Sequence, residues 1–176
     1  MSEKMKQALV GCGAILYGDF TLASGKKSRY YIDIKKASTD PKVLRLVAAE
    51  MAMELRHQGT KVDRIAGVVL GSIPLAVALS LETGIPFIMV RKEKKDHGTS
   101  KLIEGDYRKG ERVLVVEDVV TSAGSALYAL DLLRSEGMVV DQVFSVVDRE
   151  EGGRERLREA GTELTALVTA TEVMGQ

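Results

Sequence analysis

Arg112-Val113-Leu114-Val115-Val116-Glu117-Asp118-Val119-Val120-Thr121-Ser122-Ala123-Gly124-Ser125 is the stretch on which the fold turns. Arg112–Glu117 is a continuous β-branched run and reads as a buried strand. A turn of small and hydroxyl-bearing residues follows. Ser125–Glu136 then places Ala126, Ala129, Leu130 and Leu133 on one helical face, with Gly137 as the C-cap.

The same alternation extends in both directions. Arg64–Leu70, Pro86–Val90, Gln142–Val147 and Glu163–Val168 read as further buried strands. Pro41–His57 reads as a helix capped by Asp40, with Leu44, Val47, Ala48, Met51 and Leu55 on one face. Ile73–Glu82 and the polar Gly153–Ala160, closed by Gly161, are two more. This pattern predicts an α/β fold, a central parallel sheet flanked by helices on both faces, with ligands beyond the carboxyl ends of the strands. The segment 1–36 differs: an amphipathic helix, then strands Phe20–Leu22 and Arg29–Ile34 around a Ser24–Gly25 turn. It reads as a small hood, so that 1–176 forms one domain with a core at 37–176 and a long loop at 91–110.

Composition narrows the function classes. Twenty-five basic residues balance twenty-five acidic ones in 176, so no global field steers the chain to nucleic acid or an anionic membrane. No apolar run approaches the roughly 20 residues of a membrane span, and the polar Met1–Gln7 lacks a signal-peptide pattern. A cytoplasmic location is therefore expected. Cys12 is the single cysteine, which excludes an internal disulfide framework and a thiolate metal cluster.

The chemistry concentrates at strand ends. Two adjacent carboxylates, Glu117 and Asp118, are costly at a buried strand end unless they face solvent, a cation or polyol hydroxyls. Consecutive strand side chains point to opposite faces, so one of the two is expected to meet a ligand directly. Thr121–Ser125 opens a helix, and its free N–H groups suit a phosphate dianion. An acidic strand end with a helix cap is the plainer reading of the turn alone. Strand, acidic pair and hydroxyl-rich turn in this order favour a phosphorylated ribose.

Val113–Ser125 resembles, position by position, the phosphoribosyl pyrophosphate (PRPP) motif of the type I phosphoribosyltransferases. Ala123 stands where many members have glycine. The resemblance implies PRPP contacts from Glu117, Asp118, Val119, Val120, Thr121, Ser122, Ala123, Gly124 and Ser125. Glu117 and Asp118 would hold the ribose hydroxyls near the developing positive charge, with Asp118 among the catalytic residues. Mg²⁺ is the implied cofactor, held mainly by PRPP oxygens and water near these two acids.

In Arg91-Lys92-Glu93-Lys94-Lys95-Asp96-His97-Gly98-Thr99-Ser100-Lys101 five of eleven residues are basic and two acidic. Such a loop suits a lid that stabilises a pyrophosphate leaving group, although a charge run by itself is more often a solvated loop. Arg-Lys-x-x-Lys-Asp-His-Gly resembles the mobile loop of orotate phosphoribosyltransferases. That similarity implies PRPP contacts from Arg91, Lys92, Lys95 and His97, catalytic action of Lys95 and His97 at the pyrophosphate, and a homodimer whose lid closes over the partner's site. Asp148-Arg149-Glu150-Glu151-Gly152-Gly153 resembles the same family's acceptor loop. Arg149 would then meet the orotate carboxylate, with Thr121 also on the pyrimidine. Gly18–Tyr31 resembles the family's hood, implying stacking by Tyr31 or Tyr30 and a role for Lys26 or Lys27.

Ala23 and Gly71 depart from the family, since bacterial relatives carry lysines at both places; the variants look more like the archaeal branch. The resemblance covers about Leu9 to Gly153 and implies transfer of ribose 5-phosphate from PRPP to orotate in pyrimidine (UMP) biosynthesis. Two alternatives are a phosphoribosyltransferase for another base and a non-catalytic PRPP-sensing regulator. The chain lacks the basic helix-turn-helix extension a regulator needs. A fusion with the next pathway enzyme would need a barrel of roughly 250 residues more.

Overall fold

The computed structural model describes residues 3–21, 27–92 and 101–175. The chain starts with helix α1 (Glu3–Gly11), the antiparallel ribbon β1 (Ile15–Thr21) and β2 (Lys27–Ile32), helix α2 (Ile34–Thr39) and helix α3 (Pro41–Gln58). Asp40 starts α3 as expected: its Oδ1 accepts from the N–H groups of Lys42 and Val43 at 2.8 and 3.1 Å. Pro41 fills the first turn, where an N–H has no helical partner. Then follow β3 (Arg64–Val68), α4 (Ile73–Thr83), β4 (Phe87–Val90), β5 (Ile103–Glu104), β6 (Arg112–Val120), α5 (Gly124–Ser135), β7 (Val139–Asp148), α6 (Gly153–Glu159), β8 (Glu163–Thr169) and α7 (Ala170–Met174).

The six-stranded sheet has the order β5-β4-β3-β6-β7-β8. Its pairs are parallel except the edge pair β4–β5, where Met89 and Val90 face Glu104 and Ile103. Strand alternation sorts the apolar side chains into two layers. Leu114, Val116, Phe144 and Val146 pack against α1, α3 and α4 on one face. Val113, Val115, Val143 and Leu164 pack against α5 and α6 on the other. At the end of β6, Glu117 therefore continues the α5 side and Asp118 the α4 side.

Several expected boundaries move. The hood strands are Ile15–Thr21 and Lys27–Ile32 rather than Phe20–Leu22 and Arg29–Ile34, and the Ser24–Gly25 turn lies outside the described residues. Ile34 starts α2 instead of ending a strand, because Asp33 caps it by accepting from Lys35 N at 3.2 Å. The boundary placed at Lys36 consequently falls inside a helix. Residues 64–70 and 86–90 shorten to β3 and β4. Arg112–Glu117 lengthens to Val120, and Gln142–Val147 lengthens to 139–148. The sheet is mostly rather than wholly parallel because Ile103–Glu104, within the long loop, pairs antiparallel at the edge.

Candidate active site

The carboxyl ends of β6 and β7, with the loop after β3, build one cleft. A cavity of about 260 Å³ is lined by Glu117 and Val119 through Ala126. The turn enters α5 through Ala123, whose φ of +59° is a left-handed conformation rare outside glycine. This is the position where the resemblance expects glycine. Gly124 starts α5 with exposed backbone, so the first N–H groups of the helix face the cavity end without helical partners.

Glu117 and Asp118 separate onto opposite faces. Glu117 is 5% exposed, and its Oε1 has no hydrogen-bond partner within the protein. Burial, reinforced by the Asp118 charge, pushes its carboxyl up to about 8, and the Lys92 cation opposes the rise. Beside it in register on β7 stands Ser145, fully buried, with an equally unpaired hydroxyl. Asp118 turns the other way: Oδ1 accepts from Val119 N at 2.8 Å, and the carboxylate lies over Gly71 in the loop after β3. That loop contains the cis peptide Val69–Leu70. Ser72 pins it to the end of β3, accepting from Val68 N at 2.7 Å and donating to Val68 O at 2.9 Å.

Cations approach from the end of β4. Lys92 Nζ donates to Ser125 Oγ at 2.7 Å, at the opening of α5 in its own chain. Arg91 pairs with Glu104 at 3.5 Å, and its carbonyl accepts from the Tyr128 hydroxyl at 3.0 Å. Lys95 and His97 lie outside the described residues, as does Lys26.

The loop after β7 abuts the turn after β6. Arg149 N donates to Val120 O at 2.9 Å. Its guanidinium carbon lies 5.6 Å from the centroid of Tyr30, and its Nε is 2.9 Å from Glu151 Oε1 in an ion pair whose angle makes no hydrogen bond. Tyr30 is the buried tyrosine of β2. Tyr31 faces outward, 43% exposed, with its ring 5.7 Å from Phe20. The hood thus turns Tyr30, not Tyr31, toward Arg149. The fully buried Asp148 anchors the loop by accepting from Glu150 N at 2.8 Å and pairing with Arg154 at 3.0 Å.

Two contacts escaped the sequence reading. Arg156 Nη1 donates to Ser122 O at 2.6 Å, fixing the outer side of the turn before α5. Gly153 packs so closely that a β-carbon there would meet Thr121 O at 2.5 Å and Val120 Cγ1 at 2.6 Å. The available signal was the arginine-rich helix directly after a Gly-Gly pair. His57 is exposed at the end of α3, away from the cleft, as a plain surface residue would be.

Comparison with known proteins gives the family. The model of the phosphoribosyl transferase domain matches residues 38–160. The orotate phosphoribosyltransferase of Methanosarcina acetivorans is 51% identical over 172 residues, covering 98% of this chain and 91% of its own. That of Methanoculleus marisnigri is 52% identical over 174 residues, covering 99% of both. The crystal structure of orotate phosphoribosyltransferase from Aeropyrum pernix superposes with a TM-score of 0.85 at 35% identity, covering 97% of this chain and 96% of that one. A buried acid, a hydroxyl-rich helix-opening turn and an abutting arginine loop, on a chain so similar along its length, make it an enzyme of the phosphoribosyltransferase family, on the branch whose curated members are named orotate phosphoribosyltransferase.

Proposed function

We propose that this enzyme transfers the 5-phosphoribosyl group of PRPP to orotate, giving orotidine 5′-monophosphate and pyrophosphate in the synthesis of UMP. The observation that carries the reading is the hydrogen bond from Arg149 N to Val120 O. It sets a carboxylate-binding arginine directly against the start of a phosphate-binding turn, so donor and acceptor meet at one place. A purine has no carboxylate for that guanidinium.

The roles follow from position. Thr121–Ser125 holds the 5-phosphate at the opening of α5. Glu117 and Asp118 accept from the ribose hydroxyls and sit near the anomeric carbon. Positive charge develops there as the bond to pyrophosphate breaks and the bond to the ring nitrogen forms, in the manner of an oxocarbenium ion. Arg91 and Lys92 contact PRPP, and by the family resemblance Lys95 and His97 receive the charge growing on pyrophosphate. Arg149 takes the orotate carboxylate, with Thr121, Lys26 and the hood tyrosines around the ring.

Magnesium fits as an ion carried largely by its substrate. Among the described residues no group of three or more His, Cys, Asp or Glu side chains could form a protein cage. By the resemblance the ion would lie near Glu117, whose Oε1 is orphaned, and near Asp118, while keeping most of its waters. When bound it would neutralise the pyrophosphate charge. We further propose a homodimer in which the lid of one chain closes over its partner's cleft. Among the described residues no helix is long and apolar enough to cross a membrane, and we place the enzyme in the cytoplasm. The test is to mix protein, Mg²⁺, PRPP and orotate and follow the loss of orotate absorbance. Turnover is expected; no turnover with orotate but turnover with a purine base would overturn the acceptor.

A further inference from the structure

Glu150 has no part in the roles above, yet its backbone and its side chain are both held. It holds a φ of +56°, a conformation rarely adopted by residues with a side chain. Its N–H donates to the buried Asp148 at 2.8 Å. Its Oε2 accepts from both Thr171 N and Thr171 Oγ1, at 2.7 and 2.6 Å. These two bonds hold its carboxyl below the ordinary range.

The clasp belongs to a closed circuit. Thr171 lies on α7, and carbonyls further along that helix are held from the hood side. Tyr17 hydroxyl donates to Val173 O at 2.6 Å, and Lys6 Nζ to Glu172 O at 2.7 Å. Tyr17 on β1 stands opposite Tyr30 on β2 in the ribbon register. Tyr30 lies beneath the Arg149 guanidinium, and Arg149 precedes Glu150. The arginine and the ring under it are therefore tied together twice: once directly, and once through α7.

We propose that Glu150 is a positioning residue for the acceptor site, clasped by Thr171 so that Arg149 is held over Tyr30 in the orientation that receives the acceptor's carboxylate. The inference rests on the reading of Arg149 as the orotate contact. The clasp grips the loop at Glu150, beyond the bond that joins Arg149 N to Val120 O, so its loss is expected to act on orotate more than on PRPP.

Steady-state kinetics on the full-length enzyme separate the possibilities. Glu150→Gly keeps the left-handed backbone accessible while removing the carboxylate. It should raise KM for orotate about tenfold, with KM for PRPP within about twofold and little change in melting temperature. Thr171→Val should move KM for orotate the same way, and Thr171→Ser should restore it. Combined with Arg149→Ala, Glu150→Gly should add nothing further. If Arg149→Ala raises KM for orotate and Glu150→Gly does not, or if both KM values rise in step with a lost melting temperature, the clasp is only structural and the proposal falls. If Arg149→Ala itself leaves KM for orotate unchanged, the acceptor reading fails first.

Discussion

The carboxylate of Asp118 occupies the space that a β-carbon on Gly71 would need. A strand-end acid is thus seated on the bare backbone of the neighbouring loop, where bacterial relatives are expected to carry a lysine. The contact involves the far end of a short side chain, which can swing aside. Gly71→Ala should therefore fold with a stability loss under about 1 kcal/mol, yet lower kcat some 10- to 100-fold by moving Asp118. Thermal melts alongside initial rates check this. An active Gly71→Ala enzyme would show that Asp118 is free to relocate.

Glu117 makes stability depend on pH. Its carboxyl is raised from 4.5 to about 8 in the fold, so between those values the folded chain holds a proton that the unfolded chain has released. The contribution is present in full below 4.5 and is lost as pH rises through about 8. The ligand-free enzyme should lose on the order of 4–5 kcal/mol across this interval relative to Glu117→Gln, which cannot ionise. Urea midpoints of both proteins at the two ends provide the comparison. Parallel curves would mean that Glu117 ionises freely.

The contact of Gly153 with the phosphate turn leaves no room for a methyl group, and here the obstacle is mainly backbone. Gly153→Ala should cost about 1–3 kcal/mol through overpacking and raise KM for PRPP. Arg156→Ala removes the bond to Ser122 O without crowding the turn. It should raise KM for PRPP several-fold with a smaller change in melting temperature. Equal effects on KM for orotate would argue that α6 supports the whole cleft.

Lid sharing is open to complementation. Lys95→Ala and Asp118→Ala should each be inactive alone. Once subunits exchange, mixed dimers should regain activity at one site of two if the lid acts across the interface. No recovery after verified exchange would assign each lid to its own chain.

Much of this was legible because the core strands are unbroken apolar runs and the helices carry periodic faces. The elements that escaped notice, α2, β5 and α7, are six, two and five residues long. None offers enough periods to register. Alternation along β6 correctly separates Glu117 from Asp118, but which of Tyr30 and Tyr31 faces inward is set by the packing of the hood on the Arg149 loop, a contact between distant segments. The Asp118–Gly71 and Glu150–Thr171 contacts join distant segments. Residue types mark a strand end as chemical; they do not say what leans against it.

The two-residue strand β5 has a consequence for handling the protein. Among the described residues it alone pairs with the outer edge of β4, and it follows residues 93–100 in the chain. Ile88 and Val90 of β4 are fully buried, and Ile103 of β5 is 3% exposed. A chain trimmed from the lid through Glu104 would bare a ladder of unpaired N–H and C=O groups beside apolar side chains, the arrangement that recruits other strands. Lid-deleted protein should therefore be sticky in concentrated solution as well as inactive, and a deletion that spares Ile103–Glu104 should keep its colloidal behaviour.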